Sequence, residues 1–314
     1  LMGYRTPYTP GWDCHGLPIE TALLKELKIS KRGVTDIPAF RVQAEAFAER
    51  FIGLQREEFK RLGGWGDWDR PYKTMTRDYE SRVLRAFRLL LKRGYIYRGL
   101  KPVLWCITCE TALAEAEVEY KDKTSPSVYV AFPIKRSFTA ELEAAEVLIW
   151  TTTPWTLPAN RAVAFHPLLD YVLIEASRED WPAKRRLVLA KARLDSVAQQ
   201  LGFTFRELGA YRGEDFVAPN LAYERPFGGE GVGVLAEYVT AEDGTGIVHT
   251  APGHGADDYQ TGQRCGLEIA CPVDNSGRFT AQAGACLAGK QIFSEGNPAV
   301  VAELAARGWL LKKS

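Results

Sequence analysis

Four short stretches of this chain hold residue types at spacings that could support chemistry. In "GTGIVHTAPGHGADDY" (244–259), two histidines and two carboxylates fall within ten residues of a glycine-rich turn. His249 and His254 are five apart in a loop, a spacing with no fixed metal geometry. His249 could line a pocket or act as a base. Asp257 and Asp258 open a helix, where one carboxylate is explained by capping and the other is available for an ammonium group. In "TTTPWTLPAN" (151–160), the hydroxyls of Thr151, Thr152, Thr153 and Thr156 crowd around Trp155 and two prolines. The cluster reads as a polar loop or as one wall of a small-molecule pocket. In "WCITCETALAEAEVEY" (105–120), Cys106 and Cys109 have the spacing of half a zinc site. No other cysteines pair at that spacing, and no βαβ pattern surrounds them to suggest redox work. In "PGWDCHGLPIE" (10–20), Gly11 and Gly16 flank Asp13 and His15 ahead of a helix. It reads as an ordinary loop or as a carboxylate at an active-site mouth. "KISKRG" (28–33) reads as a solvated basic turn, and no serine or cysteine triad is apparent.

These stretches need elements to hold them. Asp36 caps a helix with Pro38 in its first turn, and Phe40, Ala44, Phe47, Phe51 and Leu54 recur at helical spacing. "GGWGDWDRPY" (63–72) interrupts the pattern. A second helix is expected over Asp78–Arg93, with stripe Tyr79, Val83, Phe87 and Leu90 and a stop at Gly94. Beyond residue 100 the style changes. Short β-like runs appear at Val128–Phe132, Val147–Trp150, Ala162–Phe165, Tyr171–Ile174, Leu187–Leu189 and Gly246–His249. Helices are expected over Ala190–Leu201 and from Asn297 to Gly308. The reading is a mostly helical α/β piece followed by a mixed, β-rich domain, without repeats.

With 314 residues, 46% of them hydrophobic and 25% charged, the chain suits about two soluble globular domains. Its net charge of +1 gives no bulk indication of nucleic acid, although a local basic face can be balanced elsewhere. No apolar run approaches the roughly 18 residues of a membrane span, and no signal-peptide pattern is seen. Cysteine usage points to a reducing, cytoplasmic setting. A start at Leu1 running directly into "GYRTPYTPGWD" reads as the middle of a longer protein.

"GWDCHGLPIE", "KPVLWCITCETALAEAEVEYKDKTSPS", "TTTPWTLPAN" and "GTGIVHTAPGHGADDY" occur in the order seen in isoleucyl-tRNA synthetases, and the resemblance covers essentially the whole chain. A valyl enzyme would carry a Gly-Trp-Asp-His-Ala-Gly type of sequence at 11–16, and a leucyl enzyme Arg-Pro-Asp-Thr where Pro154-Trp155-Thr156-Leu157 stands. The resemblance implies a class I enzyme whose Rossmann-type catalytic domain is interrupted by an inserted editing domain. The ATP signatures His-x-Gly-His and Lys-Met-Ser-Lys-Ser are absent here. The expected layout is therefore a partial catalytic domain over 1–102, a connecting segment over 103–125 and a mixed α+β, barrel-like editing domain over 126–314. The full enzyme would use ATP and Mg2+ to join isoleucine to tRNA(Ile), and this portion would hydrolyse mischarged valyl-tRNA(Ile).

By the same resemblance, Thr152 and Thr153 would contact the aminoacyl ester and hold the attacking water. Thr151, Trp155 and Asn160 would belong to the same wall, with Trp155 bounding the side-chain pocket. His249 would limit side-chain size, Asp258 would pair with the α-ammonium, and Asp257 would be left as the helix cap. Asp13 would hold the amino group of isoleucine. Cys106 and Cys109 would be half of a zinc knuckle, its second pair lying beyond Ser314. A monomer without membrane contact is expected. Two other readings remain: a docking module with an inactive pocket, and the editing portion of a valyl or leucyl relative.

Overall fold

The computed structural model describes residues 3–4 and 7–314. The chain divides into two compact units, Leu1–Gly99 and Leu100–Ser314.

In the first unit, β1 (Gly11–Trp12) pairs in parallel with β2 (Tyr72–Lys73), the one strand pairing there among the described residues. Three helices accompany it: α1 (Leu17–Leu27), α2 (Ile37–Arg61) and α3 (Arg77–Lys92). The Asp36 carboxylate accepts from the Ala39 N–H at 2.9 Å, as a capping residue should. For α3 the cap is Thr76, ahead of the expected start at Asp78, because its hydroxyl reaches the Tyr79 N–H at 3.4 Å. The α3 stripe residues Val83, Phe87 and Leu90 are exposed, and the buried core is small: Cys14, Ala48 and Ile52 cluster with Trp12, Ile19 and Met75 packed on them, and Leu23 and Trp68 are buried besides.

The second unit opens with the hairpin β3 (Trp105–Cys106) and β4 (Thr111–Ala112). There follow β5 (Val128–Arg136), the short α4 (Ala140–Glu143), β6 (Glu146–Thr151), β7 (Ala162–Phe165), β8 (Asp170–Ser177) and β9 (Arg185–Ala190). Next come α5 (Leu194–Leu201), β10 (Thr204–Arg212), β11 (Ala222–Glu224), β12 (Glu230–Leu235), β13 (Val248–Thr250), α6 (Ala256–Cys265), α7 (Asn297–Ala306) and β14 (Leu310–Lys313). Ten strands form one mixed sheet in the order β10-β8-β9-β6-β5-β11-β12-β7-β13, with β14 also paired to β5. The path has two ends, β10 and β13, so this is an open sheet, and the barrel-like expectation is not supported.

Both faces of the sheet are covered. On β5, Val128, Val130 and Phe132 enter one core while Tyr129 and Ala131 enter the other. Leu173 and Val188 lie with the first set, Ile174 and Leu187 with the second. Successive strand residues alternate between faces, so burial on both sides makes these strands read as continuous apolar runs. Leu194, Val197 and Leu201 of α5 cover one face, and Val300, Val301 and Leu304 of α7 cover the other. The helix expected from Ala190 begins at Leu194, after a 3₁₀ turn over Lys191–Arg193. The strand expected at Gly246–His249 is Val248–Thr250, since Gly246 sits at φ 71°, outside the extended region.

Candidate functional site

Two sequence stretches meet at one end of the large sheet. β6 ends at Thr151, and the chain turns through Thr152 and Thr153 into a 3₁₀ stretch, Pro154–Ala159, that leads to β7. β13 lies antiparallel to β7, with His249 opposite Val163, and the Arg161 N–H donates to the Thr250 carbonyl at 2.9 Å. The loop after β13 is thereby laid beside the threonine-rich turn.

The contact between them is polar and buried. His249 is 7% exposed and Asn160 1%. His249 Nε2 lies 2.9 Å from the Thr156 hydroxyl, and His249 Nδ1 lies 2.9 Å from Asn160 Nδ2. The same Nδ2 donates to the Ala162 carbonyl at 3.0 Å, and Tyr223 donates its hydroxyl to Asn160 Oδ1 at 2.5 Å. The Thr156 hydroxyl also reaches the Thr153 carbonyl at 2.8 Å. Burial, then the nearby His254, pulls the His249 pKa down to about 3. With both nitrogens engaged, His249 can offer a ligand only the surface of its ring.

The threonines differ in exposure. Thr152 is exposed and its carbonyl accepts from Ser125 Oγ at 2.7 Å, while Thr153 is half-buried and donates its N–H to Thr151 Oγ1 at 3.1 Å. Trp155 donates its N–H to Asn297 Oδ1 at 2.9 Å, and its indole meets His254 and Phe293 edge-on at 5.0 and 5.9 Å. His254 carries a buried Nε2 without a hydrogen-bond partner, and burial lowers its pKa to about 4.

Asp258 reaches back across the loop: Oδ2 accepts from the Ala251 N–H at 2.8 Å and Oδ1 from the Tyr238 hydroxyl at 3.4 Å. Burial raises its pKa. The long Oδ1 contact leaves that oxygen able to take a stronger donor. Asp257, expected as the cap of α6, is exposed; the N-cap is Gly255 and no side chain caps the helix. The glycine's extended backbone opens the helix without a side-chain acceptor.

The remaining candidates lie apart from this cluster in the chain. Asp13 belongs to the first unit, where it is exposed and its Oδ1 accepts from Thr74 Oγ1 at 3.2 Å. It borders a hollow of about 260 Å³ that is also lined by Trp12, Ile19, Phe47, Phe51 and Gln55. Cys106 and Cys109 occupy the β3–β4 hairpin, and the Cys109 N–H donates to Cys106 Sγ at 3.3 Å, which holds the Cys106 thiol below its usual pKa. Two thiols on one hairpin suit half of a tetrahedral site. Among the described residues no three His, Cys, Asp or Glu come together to hold a metal.

Tyr223, Tyr238 and Phe293 carry no signal in the sequence, and Asn297 stands there only as a helix start, yet all four belong to the site. Tyr223, Phe293 and Asn297 lie more than sixty residues from the residues they contact, so only the folded topology brings them there, while Tyr238 stands just ahead of the 244–259 stretch and turns back to Asp258.

The crystal structure of GlLeuRS-CP1 aligns with 60% of this chain and 98% of its own, at 13% identity and a TM-score of 0.44. The Isoleucine--tRNA ligase of Syntrophomonas wolfei is 48% identical over 313 residues, 99% of this chain and 33% of that protein. Its namesakes in Moorella thermoacetica and Bacillus subtilis are 47% and 44% identical over 316 and 314 residues, each match spanning 99% of this chain and 33% of the relative. The chain thus spans about a third of the length of the curated relatives it matches. The model of tRNA synthetases class I (I, L, M and V) matches residues 1–283. With that match running through both units, the chain belongs to the class I tRNA synthetases of the isoleucine, leucine, methionine and valine group.

Proposed function

We propose that this chain is the part of an isoleucyl-tRNA synthetase that carries a hydrolytic proofreading site, formed by the Thr151–Asn160 turn and the His249–Asp258 loop. The observation that carries this reading is the buried contact of Thr156 and Asn160 with His249, which sets the two segments side by side. The substrate is the valyl ester of tRNA(Ile). Isoleucine and valine differ by one methylene, worth only about 1–3 kcal/mol in an apolar pocket, a magnitude for which isoleucyl-tRNA synthetase is itself a standard example. A second site that admits the smaller side chain supplies the missing discrimination.

In this reading Asp258 takes the α-ammonium by a charge-assisted hydrogen bond. Trp155 and the His249 ring bound the side chain, and Thr152 and Thr153 orient the ester and a water. The water oxygen attacks the ester carbonyl, the bond to the ribose oxygen breaks, and a proton passes to that oxygen as valine leaves. His249 is not the base, because both its nitrogens are already bonded. Rate enhancement comes from positioning.

For the whole synthetase, acting as a cytoplasmic monomer, ATP and Mg2+ would drive joining of isoleucine to tRNA(Ile), with Asp13 taking the amino group. The domain layout is proposed as 1–102 partial catalytic, 103–125 connecting and 126–314 editing. Cys106 and Cys109 would supply two corners of a structural Zn2+.

The test is deacylation of valyl- and isoleucyl-tRNA(Ile) by this chain. Selective loss of the valyl ester is expected. Asp258→Asn, which keeps an acceptor for Ala251, should lower the rate roughly a hundredfold, while Asp258→Ala should also destabilise the loop by about 1–3 kcal/mol. RNA binding without hydrolysis of either ester would instead support the docking module, and full activity in Asp258→Asn would remove the ammonium role.

A further inference from the structure

The hydrogen bonds around His249 admit one proton arrangement. The Ala162 carbonyl can only accept, so the Asn160 side-chain nitrogen must face it, and that nitrogen's second hydrogen then points at His249 Nδ1. Nδ1 must therefore accept, and the ring proton must sit on Nε2, where it is donated to the Thr156 oxygen at 2.9 Å. Having accepted there, Thr156 sends its own hydrogen to the Thr153 carbonyl at 2.8 Å, beside the Thr156 N–H that reaches the same carbonyl at 3.1 Å. At the far end Tyr223, fully buried and kept protonated by that burial, donates to Asn160 Oδ1. The opposite ring tautomer would set N–H against N–H at Nδ1 and turn the Thr156 hydroxyl away from Thr153.

We propose that Tyr223 and Thr156 are positioning residues of the hydrolytic site, the ends of a one-way relay from Tyr223 through Asn160 and His249 to Thr156 and the Thr153 carbonyl, which fixes His249 as its Nε2–H tautomer and holds the threonine turn in register with the facing loop. This rests on the editing reading for its consequence, though not for its existence. Neither residue touches substrate. Each acts through the next, and the last bond falls on Thr153, one of the two hydroxyl residues assigned to the ester.

Two measurements on the 314-residue chain separate the relay from the editing reading. The first is nitrogen NMR of a sample labelled at its four histidines, assigned by single substitution. His249 should show a protonated Nε2 and a bare Nδ1 near neutral pH, and Asn160→Asp, which offers an acceptor in place of the amide hydrogen, should move the proton to Nδ1. A bare Nε2 in the unaltered chain overturns the relay. The second is valyl-tRNA deacylation. Thr156→Val should lower kcat roughly tenfold with KM little changed, Tyr223→Phe should lower it less, and Thr156→Ser should restore it. Equal kcat in Thr156→Val and the unaltered chain overturns the positioning role. If the unaltered chain hydrolyses no ester at all, the editing reading fails, while the NMR result still decides the relay.

Discussion

An imidazole is the side chain most often recruited for proton transfer near neutral pH, and burial removes that option from His249. Its pKa lies at about 3 in the fold against an ordinary 6.5. Between those values the unfolded chain binds a proton that the folded chain refuses, so stability is full above about pH 6.5 and falls as the medium is acidified towards 3. His254, pulled down to about 4 by burial, acts in the same sense. Removing one such group should flatten the curve. Denaturant unfolding of the chain and of His249→Gln, followed from about pH 7 to about pH 5, should diverge by up to about 1.4 kcal/mol per pH unit well below the histidine range. Parallel curves would mean that His249 is not held neutral by the fold. The sequence placed His249 and Asp258 on either side of one glycine-rich loop, and it could not reveal that the ring's nitrogens are spent on Asn160 and Thr156 or that Asp258 also braces Ala251. The partners of His249 are set by β7 and β13 pairing, a long-range fact, whereas the Asp258–Ala251 bond depends on how the loop between them turns.

At the scale of elements, the site depends on strands that carry none of its chemistry. Tyr223 reaches Asn160 from β11, where it stacks on Phe132 at 5.3 Å and stands in register opposite Gly231 of β12. A Cβ at Gly231 would lie 2.2 Å from the Tyr223 ring, so the glycine is what makes room for the tyrosine. Gly231→Ala should therefore displace Tyr223, destabilise the chain by about 1–3 kcal/mol and slow the proposed hydrolysis, whereas Glu230→Ala on the exposed neighbour should do neither. Thermal unfolding of the two variants checks this, and an unchanged midpoint for Gly231→Ala would show that the sheet gives way without cost. The same strands mark the boundary of what sequence revealed. β5, β6, β8 and β9 announce themselves because burial on both faces leaves unbroken apolar runs. β11 and β12 do not: "AYE" is three residues long, and "EGVGVL" has one glycine where the Tyr223 ring needs space and another against the Phe216 backbone. The missed β10 is mostly exposed along its length and mixes charged with aromatic residues, so no periodic apolar signal marks it. Closure of the sheet is likewise a matter of which strands pair, and local pattern carries no information about it.

At the scale of the whole molecule, core size differs sharply between the two units. Residues 100–314 contain three buried clusters, one of which gathers side chains from β5, β6, β8 and β9 with those of α7, and ladder pairing links ten strands. Among the described residues of 1–99, the hydrophobic side chains buried are Cys14, Ala48 and Ile52, which cluster, and Leu23 and Trp68, while Leu84, Phe87, Leu89 and Leu91 of α3 stand exposed. Burying a large aliphatic or aromatic side chain contributes about 1.5–3 kcal/mol, and ordering each residue costs about 1–2 kcal/mol in backbone entropy. A helical unit with so few buried side chains sits near the margin, whereas the β-rich unit does not. Expressed separately, residues 100–314 should unfold cooperatively with a transition resembling that of the 314-residue chain, and residues 1–99 should give helical signal without a cooperative transition. Circular dichroism during thermal and denaturant melts checks both. A sharp melt for 1–99 would show that the small cluster suffices. Loss of cooperativity in 100–314 would mean that the sheet, with the threonine turn and the His249 loop it holds together, depends on the first unit after all.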